Sequence, residues 1–119
     1  MNRQEHVIIG IAIFSVFSWF LYQLVRVPFD IIFFGLISTI VGSIIPDILE
    51  PSTNWMHRGI GHSKRALKIT GEIFAITTGL SLLSFFNGIF FIFYIIASFF
   101  LGYAFHLLAD ATTSVGLPD

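Results

Sequence analysis

The sequence predicts an all-α protein, a membrane-embedded four-helix antiparallel bundle with a polar, motif-bearing loop between helices 2 and 3. Three observations predict it. Hydrophobic residues make up 55% of the 119 and charged residues only 11%, with fifteen Phe, which is too little polar surface to cover a water-exposed globule. Four apolar runs follow one another, separated by turn chemistry. One short stretch, Pro46 to Ser63, reading P-D-I-L-E-P-S-T-N-W-M-H-R-G-I-G-H-S, packs Asp47, Glu50, His57, Arg58 and His62 together.

The first run, residues 7–25, is long enough to cross a hydrocarbon core of roughly 30 Å as a helix. Arg3 before it gives the look of a signal peptide, but no small-x-small cleavage site follows and the stretch 21–28 is bulky, so the run is expected to be retained. Arg26, Pro28 and Asp30 mark a tight connection, because Pro disfavours helix at the residue before it and the charges prefer water. The second run, 29–45, is short and ends where the polar stretch begins. A third span is expected over 67–86, with Glu72 inside it, either paired to Lys68 on the same face or supporting a site. Asn87-Gly88 is a turn signal, and 89–109 makes the fourth span of a single domain covering 1–119.

Four antiparallel spans put both termini and the long middle segment on one side and the two tight turns on the other. The first side carries Arg3, Arg58, Lys64, Arg65 and Lys68 and the second only Arg26, so the positive-inside bias makes the crowded side cytoplasmic. This topology carries all four histidines, His6, His57, His62 and His106, together with Asp47 and Asp110, to that same face. Small residues support close packing. Ser98, Gly102, His106, Asp110 and Thr113 stack along one face of the fourth span, as Gly35, Ser38 or Thr39, Gly42 and Pro46 do on the second.

The polar residues have a common chemistry. His106 and Asp110, at i and i+4, project from one turn of helix toward one cation. His57 and His62 flank Gly59 and Gly61, which allow the chain to turn both rings inward. The candidate metal ligands are therefore His6, Asp47, His57, His62, His106 and Asp110. Imidazole with carboxylate suits a divalent transition metal, zinc first and manganese or iron as alternatives, in one or two ions. With no Cys, thiolate ligands, disulfides and a Cys nucleophile are excluded. A formal net charge of -1 gives no attraction to nucleic acid. The expected partners are the bilayer and a lipid-like or phosphoester substrate. A small bundle is also compatible with self-association, although no motif specifies it.

At these residues the sequence resembles the small prokaryotic membrane-bound metal-dependent hydrolases, also described as LexA-regulated inner-membrane hydrolases. The similar pieces are His6, G-S-I-I-P-D-I-L-E (Gly42 to Glu50), H-R-G-I-G-H-S (His57 to Ser63) and H-L-L-A-D-A-T-T-S-V-G (His106 to Gly116). The resemblance implies a multi-span inner-membrane protein with a divalent-metal site and hydrolase activity, carried by His6, Asp47, His57, Arg58, His62, Ser63, His106 and Asp110. Many relatives read P-D-x-D, whereas here Leu49 occupies the fourth place and Glu50 follows.

The chemistry expected is attack of metal-activated water on a phosphoester or ester at the cytoplasmic membrane face. Asp47 or Glu50 would act as general base, and Arg58 would hold a phosphoryl group or developing oxyanion. Ser63 completes the candidate catalytic set. A metal-free alternative matches His106 and Asp110 to the H-x-x-x-D ending of membrane phosphatidic-acid phosphatases, where His is the nucleophile; their P-S-G-H signature is absent. A non-enzymatic alternative is a metal-ion transporter or sensor using the same ligands.

Overall fold

The computed structural model describes residues 3–49, 60–85 and 88–112. Four helices run antiparallel: α1 (Arg3–Val25), α2 (Phe29–Leu49), α3 (Lys64–Leu83) and α4 (Phe90–Ala111), with a 3-10 turn over Ile60–His62 before α3. At 20 to 23 residues each is about 30 Å or more long, enough to cross a bilayer. The four-span bundle read from hydropathy is therefore present.

The boundaries differ, mostly by extension into polar turns at the end that carries the histidines. α1 begins at Arg3 rather than at residue 7, α3 covers Lys64–Leu83 rather than 67–86, and α4 continues to Ala111. Hydropathy marks where a chain lies in lipid, whereas a helix ends where its backbone hydrogen bonds end. Polar first and last turns are therefore helical too. The largest correction is in α2, which runs through Pro46 to Leu49 instead of stopping at 45. Asp47 thus lies in the last turn of a helix rather than in a loop.

α4 is the axis of the bundle. Half of its most apolar window is buried inside the protein, against 17–28% for the other three helices. Phe14, Leu21, Val27, Phe90, Tyr94 and Leu101 form the core of the half remote from the histidines. Phe20, Phe29, Phe33, Phe34 and Phe91 face outward, as lipid-facing side chains should.

Glycine sets how closely α4 approaches α2. A Cβ on Gly42 would run into the Phe99 carbonyl, and one on Gly102 into the Thr39 carbonyl and the Ser43 backbone nitrogen. Ser38 and Thr39 hydroxyls donate across this contact to the Ile95 and Ser98 carbonyls, each at 2.9 Å. With lipid as apolar as the helices themselves, close backbone approach and such hydrogen bonds are what hold two spans together.

α3, the least apolar span, buries Thr70, Thr77 and Ser81, whose hydroxyls are satisfied by carbonyls three or four residues earlier in their own helix. The α1–α2 connection is as tight as its sequence implies. Arg26 takes a positive φ of 54° and closes α1 by donating its N–H to the Tyr22 carbonyl at 3.0 Å. Its guanidinium lies over the Tyr22 ring. Gly88, with φ 76°, supplies the turn before α4. An apolar groove of about 510 Å³ opens between α1 and α2, bordered by Ile11, Trp19, Tyr22 and Phe33; none of the clustered histidines or aspartates lines it.

Candidate metal centre

The site begins with a helix defect. Pro46 lies inside α2 and has no N–H to give the Gly42 carbonyl. On the neighbouring position, the Ser43 carbonyl faces α4, which the glycine contact has brought close. There it accepts a hydrogen bond from His106 Nδ1 at 2.6 Å. A carbonyl oxygen can only accept, so a proton sits on Nδ1, and in the neutral ring the lone pair is on Nε2.

That lone pair faces anions. His106 Nε2 lies 3.4 Å from Asp47 Oδ1 and 3.4 Å from Asp110 Oδ2. These separations are longer than a well-formed N–H···O bond. Nε2 is buried and has no hydrogen-bond partner among the described residues, and the same holds for His6 Nδ1. A buried nitrogen held against two carboxylates needs positive charge there, either a proton on Nε2 or a metal ion between them.

The other donors close the ring. His6, in the first turn of α1, stacks on His106 with centroids 3.7 Å apart and places Nε2 3.2 Å from Asp110 Oδ1. His62 comes from the 3-10 turn, with Nε2 3.2 Å from Asp47 Oδ1 and 3.9 Å from Asp110 Oδ2. Its ring centroid is 5.4 Å from that of His106. Two triads, His6–Asp47–His106 and His62–His106–Asp110, have ligand atoms within 4.8 Å of one another. Imidazole nitrogens and carboxylate oxygens at this spacing fit a divalent transition metal. An Nδ1–H held by a backbone carbonyl is the usual outer contact of a ligating histidine.

Burial grades the cluster. The side chains of His6, His62, His106 and Asp110 are at most 2% exposed, whereas that of Asp47 is 26% exposed, so among the described residues the cluster is most open on the Asp47 side.

Five of the sequence-read site residues, His6, Asp47, His62, His106 and Asp110, thus come together at one end of the bundle. Glu50, His57 and Arg58 lie outside the described residues. Ser63 lies at the start of α3. It is the N-cap of α3, its hydroxyl accepting the Ala66 N–H at 2.9 Å. Glu72 is exposed on α3 and belongs to neither of these triads. Two contributors were not foreseen. Ser43 acts through its backbone, which no side-chain pattern reveals, although Pro46 three residues on is a local sign of a disturbed helix. Tyr103 donates its hydroxyl to the Gly61 carbonyl at 2.9 Å and so ties the turn that carries His62 to α4.

A family model described as YdjM inner membrane protein matches residues 1–118. The chain belongs to this family. It is the inner-membrane hydrolase family that the motifs resemble, and membership agrees with four helices able to span a membrane. No curated protein and no solved structure matches the chain. This YdjM-family chain is thus a multi-pass inner-membrane protein of a hydrolase family, with two buried His/Asp clusters able to hold a divalent metal ion.

Proposed function

We propose that the chain is a metal-dependent hydrolase acting on a phosphoester or ester of a lipid-like substrate at the cytoplasmic face. The observation that carries this reading is His106 Nε2, buried, without a hydrogen-bond partner among the described residues, and set between two carboxylates. His6, His62, His106, Asp47 and Asp110 would hold the ion, zinc first, with manganese or iron as alternatives. A divalent ion bound there supplies Lewis acidity, which makes water a competent nucleophile near neutral pH.

The chain's own groups do the rest. Asp47, the one partly exposed member of the cluster, is positioned to take a proton from incoming water. Arg58, between His57 and His62 in sequence, would bind a phosphoryl oxygen or developing oxyanion, and Glu50 could share the base role. A site at one end of a lipid-embedded bundle favours a substrate with an apolar tail. The cytoplasmic placement rests on the distribution of Lys and Arg.

The geometry disfavours the metal-free phosphatase. There His106 would attack phosphate through Nε2, yet both carboxylates crowd that nitrogen while Nδ1 is held by Ser43. Transport is disfavoured because the clustered donors stand at one end and the core of the opposite half is Phe14, Leu21, Val27, Phe90 and Tyr94.

The test is elemental analysis of purified protein together with turnover of a generic phosphoester or ester. Bound transition metal is expected, with activity lost on chelation, restored by metal, and abolished by His62→Ala while the protein still inserts. Chelator-resistant hydrolysis would favour the metal-free reading, and metal flux into vesicles without turnover would favour transport.

A further inference from the structure

We propose that the two triads are one mononuclear centre, in which all five donors serve a single divalent ion and His106 belongs to both halves. This rests on the metal-dependent reading above and fixes its stoichiometry. Two independent features of the cluster lead to it.

The first is the ring that the triads share. His106 appears in both His6–Asp47–His106 and His62–His106–Asp110. Its Nδ1 proton is committed to the Ser43 carbonyl at 2.6 Å, so Nε2 is the one nitrogen it offers. An sp2 nitrogen has one lone pair and binds one ion. The same nitrogen is 3.4 Å from a carboxylate oxygen of each aspartate, which places it between the two halves rather than on one side.

The second is charge. Asp47 and Asp110 are the acidic members of the triads, and the three histidines bind metal as neutral rings. Two carboxylates balance one divalent ion. Among the described residues nothing would balance a second, which would leave two uncompensated positive charges among side chains mostly no more than 2% exposed, at the end of a lipid-embedded bundle, where unbalanced charge is costly. The other described acids, Glu5, Asp30 and Glu72, are all exposed, and Glu50 lies outside the described residues.

The experiment is a metal titration of the full-length chain in detergent, stripped and then reloaded with zinc, manganese or iron(II) in separate samples, with bound metal read by elemental analysis. The expected ceiling is one ion per chain for each metal. His6→Ala and His62→Ala should each keep that ceiling while weakening affinity by at least the roughly 10- to 100-fold that loss of an outer contact to a metal ligand costs. A wild-type ceiling of two, dropping to one when His6 or His62 is removed, would overturn the proposal and leave the metal-dependent hydrolase reading standing. No bound metal in any sample would overturn both. The wild-type ceiling decides the matter even where a variant does not fold.

Discussion

The Nδ1 of His106 donates to the carbonyl of Ser43, 63 residues earlier in the chain, at 2.6 Å. The bond exists because Gly42 and Gly102 let α2 and α4 meet at backbone distance. It fixes which nitrogen of His106 is left for an ion. Gly102→Ala should therefore force the helices apart, with an overpacking cost of about 1–3 kcal/mol. A lower thermal midpoint together with weaker metal binding is expected from calorimetry and metal titration. A destabilised variant with wild-type metal affinity would break the link between helix spacing and donor geometry.

Tyr103 ties the His62 turn to α4 through the Gly61 carbonyl. Tyr103→Phe keeps the ring and removes the bond, at a cost of about 0.5–1.5 kcal/mol. Metal affinity should fall in this variant but change little in His62→Ala/Tyr103→Phe relative to His62→Ala, because the hydroxyl acts through His62. Additive losses in the double variant would mean that Tyr103 acts elsewhere.

Ser18 and Tyr94 share a buried hydrogen bond of 2.7 Å, in the half of the bundle remote from the histidines. Hydrogen bonds between membrane helices average about 0.6 kcal/mol. Tyr94→Phe should accordingly lower stability by about that amount and leave metal content and turnover unchanged, as measured by unfolding in mixed detergents and elemental analysis. Lost metal would show coupling between the two halves that the packing does not contain.

Ser63 caps α3, and Thr is a competent cap while Ala is not. Ser63→Ala should cost about 0.5–2 kcal/mol of stability. Ser63→Thr should keep both fold and hydrolysis. Should Ser63→Thr fold normally and yet lose turnover, the hydroxyl meets substrate, in line with the catalytic role read from the motif.

Much of the site was legible along the chain because a membrane makes polar residues conspicuous. His106 and Asp110 stood out as ionisable groups on a face of small residues, and that face, Ser98, Gly102, His106 and Asp110, is indeed buried. His6, Asp47 and His62 could be assigned to the same end by counting spans. Ser63 was read from its motif as a catalytic candidate, and that it also caps α3 becomes visible only in the fold. Pro46 was read as a helix end, since Pro usually breaks helices in water; in the bundle the helix continues and the disturbed turn finds a partner on α4.

By itself, the sequence determined the number of spans, their alternation and the end of the bundle that collects His6, His62 and His106. These follow from hydropathy and parity, which need no knowledge of neighbours. The tertiary structure alone decided that His106 offers Nε2, that both aspartates face this nitrogen and that the two triads meet there. The physical reason is that a ring nitrogen's role depends on what its other nitrogen touches. That partner is a backbone carbonyl from another helix, a group every residue carries and no pattern of side chains can reveal.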